Sequence, residues 1–230
     1  MLSQNTVKNL SMNDKVAVLS SGGLDSAVML AQLTQSYREV YPVYVRCGLF
    51  WEEQELRFLH RFLCALSEPA IREIHELNFQ MDDVYKQGWY AKEKSVPGYY
   101  EDDDQWMIPG RNIILIAKTA VWSKVRQIDT IAHGTLISNP FPDATVKFFN
   151  GIAQVMSMGL GCSVKILTPL IQHHKSDVIL LGRDLPLQLT LSCPCPVGGS
   201  HCGVCGKCRE RIVAFEEAEV SDPTLYHKRL

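Results

Sequence analysis

The chain has 230 residues, of which 46% are hydrophobic and 21% charged, and its formal net charge is −2. This length predicts one domain with a small appended module, and the charge argues against a nucleic-acid partner, which needs excess Lys and Arg. No apolar run reaches about 18 residues, so no membrane span is expected. Residues 1–14 are polar, and we interpret them as a lead-in to the first strand and not as a signal peptide.

Apolar runs alternate with helical periodicities along most of the chain, as in α/β proteins with a parallel sheet. The segments with strand character are 15–19, 39–45, 71–77, 130–133 and 163–167. Helical periodicity is found at 25–35, 52–66, 111–125 and 145–158. The sequence therefore predicts an open parallel sheet of about five strands with flanking helices, formed by residues 15–185.

A serine- and glycine-rich turn follows the first predicted strand and leads directly into a helical run. This serine–glycine loop consists of Ser20, Ser21, Gly22, Gly23, Leu24, Asp25 and Ser26. Such a turn directs backbone N–H groups and the positive end of a helix dipole at one point, which suits a phosphate chain. The alternative is an ordinary turn. No Gly-Lys-Ser/Thr follows, so the loop is not a Walker loop.

Other loops are predicted to meet the serine–glycine loop at the same edge of the sheet. In open α/β sheets, ligands bind beyond the carboxyl ends of the strands, close to the switch in strand order. The turn after Val45 and residues 110–112 and 133–135 would gather there, Gly134 among them. Residues 82–106 interrupt the alternation of elements and are either an acidic surface loop or a substrate lid.

Four polar residues outside the serine–glycine loop are candidates for binding or catalysis. Arg111 and Asn112 stand at a predicted helix start, where the guanidinium binds two phosphoryl oxygens or only caps the surface. Lys175 precedes another predicted helix and either grips leaving pyrophosphate or is solvated. Asp143 lies in a proline-bracketed loop and either accepts N–H groups of a guanine-like edge or is a turn aspartate.

Eight cysteines without a secretion signal suggest a reducing compartment, and we expect a cytoplasmic protein in which clustered thiols bind metal. Residues 186–230 contain the spacing of a closed tetrahedral zinc site with a structural role, formed by Cys193, Cys202, Cys205 and Cys208. A redox or iron–sulfur site is the alternative. Cys195 can exchange with Cys193 as a ligand. We expect these residues to form a zinc-binding module packed on the same domain.

The serine–glycine loop resembles the pyrophosphate loop of the N-type ATP pyrophosphatases of the PP-loop superfamily. With four further motifs, the chain resembles the QueC family of 7-cyano-7-deazaguanine synthases over residues 15–223. Those motifs are 109–112 (PGRN), 141–143 (FPD), 168–170 (TPL) with Lys175, and the cysteine spacing. The resemblance implies the adenine nucleotide alpha hydrolase-like fold and a homodimer.

The resemblance also implies an ATP-dependent C–N ligase. The carboxylate of 7-carboxy-7-deazaguanine would be adenylated, ammonia would displace AMP, and a second ATP would activate the amide to give the nitrile. Asp25, Arg111 and Lys175 would be catalytic, and Mg²⁺ would bridge phosphates through Asp25. The resemblance also implies that the serine–glycine loop, Asn112 and Gly134 bind ATP. It implies that Asp143 and Gly48 contact the deazaguanine.

The chain departs from the family after the second strand, where polar residues are replaced by Leu49, Phe50 and Trp51. The acceptor can therefore be another amine, such as a protein or peptide terminus. A tRNA-thiolating pyrophosphatase would share the loop but would need a basic face and a catalytic cysteine pair. A zinc-module binding protein with an inactive nucleotide fold is a further alternative, and the intact loop disfavours it.

Overall fold

The computed structural model describes residues 13–91 and 96–230, so residues 1–12 of the predicted lead-in lie outside the described residues. Within these ranges, five parallel strands form one sheet with the order β3-β2-β1-β4-β5. The strands are β1 (Asn13–Leu19), β2 (Tyr37–Arg46), β3 (His75–Asn78), β4 (Thr130–Ala132) and β5 (Lys165–Leu167). The predicted α/β fold class is confirmed. The strand order changes direction between β1 and β4, which is where ligands bind in sheets of this kind.

Helices connect the strands on both faces of the sheet. They are α1 (Leu24–Leu33), α2 (Glu52–Leu66), α3 (Arg111–Val125), α4 (Val146–Leu160), α5 (Lys175–Leu181) and α6 (Gly206–Glu217). The bounds of α2 and α3 are as predicted, whereas α1 and α4 differ by one or two residues at each end. In the described part of the chain, no helix has both the length and the hydrophobicity that a membrane crossing requires.

The predicted strand at 71–77 is wrong over its first half, since β3 begins only at His75. Ile71 makes a single parallel bridge to Val40, after which the chain leaves the sheet edge. Arg72 is exposed there, and its guanidinium donates to a carboxylate oxygen of Glu39 at 2.7 Å. Arg72 stays tied to β2 by this ion pair, and regular pairing with β2 resumes only at His75, opposite Val43.

The central strand β1 is buried on both faces. Val16 and Val18 pack with α1, α5 and α6 on one side, and Ala17 and Leu19 pack with α3 and α4 on the other. Successive side chains of a strand point to opposite faces, so a strand covered on both sides must be hydrophobic throughout. The uninterrupted apolar run that precedes the serine–glycine loop follows from this position.

The C-terminal segment shares a core with the sheet, because Phe215 of α6 packs with residues of β1 and α1. Arg211 of α6 is fully buried. Its guanidinium donates to the carbonyl oxygen of Leu187 at 2.8 Å and to the hydroxyl of Thr190 at 2.9 Å. These bonds join α6 to the chain that leads into it. The predicted boundary between the sheet domain, which ends at residue 185, and the zinc-binding module, which begins at residue 186, stays a prediction.

Candidate functional site

A cavity of about 230 Å³ lies at the carboxyl edge of the sheet, where β1, β2 and β4 end. The serine–glycine loop, the first turns of α2 and α3, and the chain after β4 form the walls of this first cavity. Among the predicted site residues, those that line it are Ser20, Ser21, Gly23, Asp25, Ser26, Arg111, Asn112, Gly134 and Asp143. The sheet edge thus brings together groups that are far apart in sequence.

Hydrogen bonds within the serine–glycine loop fix its shape. The amide N–H groups of Ser21 and Gly23 donate to the hydroxyls of Ser26 and Ser21, each at 3.3 Å. The Ser26 hydroxyl in turn donates to the carbonyl oxygen of Gly23 at 3.0 Å. Two hydroxyls and the start of α1 therefore converge on the cavity, and this arrangement can bind an anion.

Three other residues of the loop have structural tasks. Gly22 has a φ of +75°, and a Cβ there would lie 2.5 Å from the carbonyl oxygen of Glu55, so only glycine fits. Leu24 is buried in the core, and the Ser20 hydroxyl donates to the carbonyl oxygen of Val18 at 2.9 Å. Neither Gly22 nor Leu24 is among the described residues that line the first cavity.

Arg111 occupies the first position of α3 and faces the same cavity. Gly110 precedes it with a φ of +69°, which turns the chain into the helix. The Nε atom of Arg111 is buried and has no hydrogen-bond partner among the described residues. A buried donor without a partner costs free energy, so this guanidinium is suited to an anionic ligand.

A hydrogen-bond chain joins the start of α3 to the loops after β4. The Asn112 amide N–H donates to Asp143 Oδ2 at 3.0 Å, and the Asn112 side-chain NH₂ donates to the Asp143 carbonyl at 2.9 Å. The Asn112 Oδ1 lies 3.1 Å from His133 Nε2, and Thr135 Oγ1 lies 2.7 Å from His133 Nδ1. Burial, with the charge of Arg111, lowers the pKa of His133 to about 4. The imidazole is therefore neutral, donating from Nε2 and accepting at Nδ1.

Lys175 lies in a second cavity of about 360 Å³, which adjoins the first at Asp25 and Gly134. Its Nζ atom is 3.1 Å from Asp25 Oδ2 and 2.8 Å from Glu210 Oε1, and Lys207 Nζ is 2.8 Å from Glu210 Oε2. Burial raises the pKa of Asp25, and the charge of Lys175 opposes this rise. Although burial favours protonation of Glu210, the two lysines lower its pKa.

Replacement of Lys175 by methionine is expected to destabilise the protein by about 3 kcal/mol, because it leaves the partly buried Asp25 carboxylate without a cation and Glu210 with Lys207 alone. Urea denaturation measures the loss. Lys165→Met is the matched control, since the Lys165–Asp129 pair is exposed and its loss should cost less than about 1 kcal/mol. Equal effects of the two variants would contradict the prediction.

Gly48, the predicted substrate contact after β2, is not among the described residues that line either cavity. It has a φ of +83°, and a Cβ there would lie 3.0 Å from Gln80 Oε1. The glycine turns the chain, and the next residue, Leu49, lines the first cavity. The apolar substitution seen in the sequence therefore changes the cavity wall. Contact of Gly48 with the substrate stays a prediction.

Several residues that line the first cavity were not among the predicted site residues. They are Leu19, Val43, Tyr44, Val45, Leu49, Glu52, Glu55, Trp106, Ile108, Leu115, His133, Thr135, Asn139 and Phe141. His133 and Thr135 belong to the segment 133–135 that the strand-end rule places at this edge, although neither was named as a binding residue. Trp106 comes from the segment 82–106, so part of that segment is a cavity wall.

A cluster of four buried thiols, the cysteine cluster, is formed by Cys193, Cys202, Cys205 and Cys208, whose sulfur atoms lie within 4.8 Å of one another. Backbone N–H groups donate to three of the sulfurs: Cys202 N–H to Cys193 at 3.4 Å, Gly203 N–H to Cys208 at 3.3 Å and Val204 N–H to Cys202 at 3.4 Å. Such donors stabilise thiolates in a closed tetrahedral metal site. The cluster can therefore hold a metal ion.

Cys195 stands beside the cysteine cluster but is not one of its four members. Its sulfur lies 3.7 Å from that of Cys202 and 4.0 Å from that of Cys193. The four sulfurs that all lie within 4.8 Å of one another include that of Cys193 and exclude that of Cys195. Trp106 packs against the same cluster, so one indole touches both the cysteine cluster and the first cavity.

The parallel sheet with a serine–glycine loop after its first strand and a C-terminal cysteine cluster defines an α/β protein of the PP-loop class. A family model described as "Queuosine biosynthesis protein QueC" matches residues 15–219, and the chain belongs to this family. The resemblance predicted from the sequence is therefore confirmed.

Individual relatives agree with the family match. The 7-cyano-7-deazaguanine synthase of Desulfotalea psychrophila is 31% identical over 222 residues, covering 94% of this chain and 99% of that protein. The synthase of the same name from Leptospira interrogans is 29% identical over 225 residues, covering 94% and 92%. The solved U34-tRNA thiolase NcsA from Methanococcus maripaludis with its [4Fe-4S] cluster aligns at a TM-score of 0.50 and 20% identity, covering 81% of this chain and 62% of that chain. This last likeness supports the fold alone.

Proposed function

We propose that this protein is an ATP-dependent C–N ligase that converts 7-carboxy-7-deazaguanine and ammonia to 7-cyano-7-deazaguanine. Relatives named 7-cyano-7-deazaguanine synthase match more than nine-tenths of the chain. The observation that carries the proposal is the first cavity, where the serine–glycine loop faces Arg111. The Nε atom of that guanidinium has no partner in the described part of the chain.

The phosphates of ATP would bind to the backbone N–H groups of the serine–glycine loop and to the hydroxyls of Ser21 and Ser26. The carboxylate of the acid would attack the α-phosphorus, and the bond from that phosphorus to the bridging oxygen of pyrophosphate would break. Arg111 would offset the charge that develops, and Lys175 would bind the leaving pyrophosphate from the second cavity. Ammonia would then displace AMP, and a second ATP would activate the amide oxygen.

Two metal ions belong to this proposal. The cysteine cluster has the ligand set of structural Zn²⁺, which would fix the fold of the C-terminal segment. Mg²⁺ would offset charge on the ATP phosphates, and Asp25 would help to hold it. The Oδ1 atom of Asp25 is buried and has no hydrogen-bond partner among the described residues, which supports this role.

The remaining parts of the proposal concern the substrate and the assembly. Asp143 would accept N–H groups of the deazaguanine, while Gly48 would act through the turn that sets Leu49. Asn112 and Gly134 would contact ATP. We further propose a cytoplasmic homodimer without a nucleic-acid partner, as the family resemblance, the clustered thiols and the net charge of −2 suggest.

Mass spectrometry of a reaction with the acid, ATP and ammonium chloride tests the function. We expect the nitrile, with AMP and pyrophosphate as the other products, whereas ADP would contradict the proposal. AMP release without nitrile, together with a conjugate when glycinamide is supplied, would favour the second candidate, a ligase that joins the acid to another amine such as a protein or peptide terminus. The apolar side chain of Leu49 in the cavity wall favours this candidate.

A further inference from the structure

One carboxyl group in the first cavity has no role in the reaction described so far. Glu55 lies in the first turn of α2 and lines the cavity. None of the salt bridges among the described residues includes it. The hydroxyl of Tyr44, near the end of β2, donates to Glu55 Oε2 at 2.6 Å. Tyr44 is only 4% exposed, so the carboxyl group is held by a rigid neighbour.

The groups that face Glu55 come from three elements. They are Tyr44 of β2, Glu52 of α2 and Arg111 of α3. Burial raises the pKa of the Glu55 carboxyl to about 7, and the charge of Arg111 and the hydrogen bond from Tyr44 oppose the rise. Glu52 raises it further, and its own carboxylate accepts the amide N–H of Cys47 at 2.6 Å.

Glu55 is itself bonded to the Tyr44 hydroxyl, but the other acids and bases of the cavity are tied to further tasks in the fold or in the proposed reaction. Asp25 pairs with Lys175, and Asp143 accepts a backbone N–H at the start of α3. His133 is hydrogen-bonded at both ring nitrogens. Glu55 is therefore the carboxyl group of this cavity best suited to exchange a proton during the reaction.

We propose that Glu55 is the general base that takes a proton from the ammonium ion or amine that attacks the adenylated acid. This inference rests on the proposed function. Ammonia is largely protonated at neutral pH, and a protonated nitrogen has no electron pair for attack. One N–H proton goes to the Glu55 carboxylate, and the freed electron pair forms the C–N bond. The C–O bond to AMP breaks, AMP leaves with the electron pair of that bond, and the second proton of the nitrogen passes to the AMP phosphate or to water.

The test separates adenylation from transfer. Acid-dependent exchange of labelled pyrophosphate into ATP reports adenylation, and the amide and nitrile formed with ammonium chloride report transfer. Glu55→Gln should keep the exchange but slow the transfer about 100-fold or more, the usual worth of a general base. Glu53→Gln is the matched control, because that side chain is 72% exposed and pairs with Arg46. It should change neither rate.

Tyr44→Phe supplies a second measurement, the pH dependence of the transfer rate. This dependence would not change if Glu55 had only a structural role. Loss of the hydroxyl donor destabilises the ionised carboxylate and so raises the pKa of Glu55. The acid limb of the transfer rate should therefore shift to higher pH while the exchange keeps its profile.

Each outcome bears on one of the two proposals. Unchanged transfer in Glu55→Gln, or an equal loss of exchange and transfer, would overturn the role of Glu55. A raised KM for the acid in the exchange would do the same, because Glu55 would then bind the substrate. If the wild-type protein shows no acid-dependent exchange, the proposed function fails and this inference fails with it.

Discussion

Arg111→Ala is expected to slow acid-dependent pyrophosphate exchange about 10²- to 10³-fold, the usual cost of removing one preorganised charge-stabilising group. The guanidinium lines the first cavity, and its Nε atom has no partner in the described ranges, so its binding capacity is free for phosphate. For the same reason the folded protein should lose little, and its unfolding temperature should change by less than about 2 °C. Exchange kinetics and calorimetry measure the two effects.

Two variants sharpen this prediction. Lys124→Ala removes an exposed cation from the last turn of the same helix and should leave the exchange rate unchanged. Arg111→Lys keeps the charge but loses the planar fork, so we expect it to recover only part of the rate. An Arg111→Ala protein that exchanges pyrophosphate at the wild-type rate would show that the phosphates bind elsewhere.

Cys208→Ser is expected to abolish metal binding and to destabilise the protein by about 4 kcal/mol or more. Cys208 is fully buried in the cysteine cluster and lies in the first turn of α6, whose Phe215 belongs to the main core. Loss of the metal therefore loosens a helix that supports the sheet. Elemental analysis should find about one zinc per wild-type chain, and thermal unfolding should show a decrease of about 10 °C in the variant.

Cys195→Ser is the matched control for the metal site. Its sulfur lies close to that of Cys202 but outside the compact set of four, so zinc content and stability should be retained. Zinc loss in Cys195→Ser, or iron and sulfide in place of zinc in the wild-type protein, would contradict the assignment of the ligands or of the metal.

The sequence predicted the elements whose pattern is local. The apolar run of β1 and the bounds of α2 and α3 follow from periodicity and from turn residues at their ends. It failed at β3, because whether residues near Arg72 join a sheet edge depends on a neighbouring strand. α6 was not predicted, and four charged residues within 207–211 obscure its apolar face in the sequence. Hydroxyl and carbonyl partners distant in sequence make burial of the Arg211 guanidinium tolerable.

The candidate site shows the same division. The serine–glycine loop and the cysteine spacing are patterns within short stretches of sequence, so a phosphate-binding turn and a metal site could be predicted from them. Glu55 could not, because acidic residues in a first helical turn ordinarily face solvent and favour the helix dipole. Its importance arises only from the contact with Tyr44, which the packing of α2 on β2 creates.

Trp106 belongs to the same apolar cluster as the four cysteines and also lines the first cavity, so a metal ion bound by the cysteines would support part of the cavity wall. Gly206, at the start of α6, packs so tightly on Trp106 that a Cβ would lie 2.9 Å from its Nε1 atom. We expect a chelator that removes such an ion to loosen this support for the ring while the sheet stays folded. Partial removal of the metal should therefore give a folded protein with a raised KM for the proposed acid substrate, and in that case the amount of bound metal would limit the rate of the reaction.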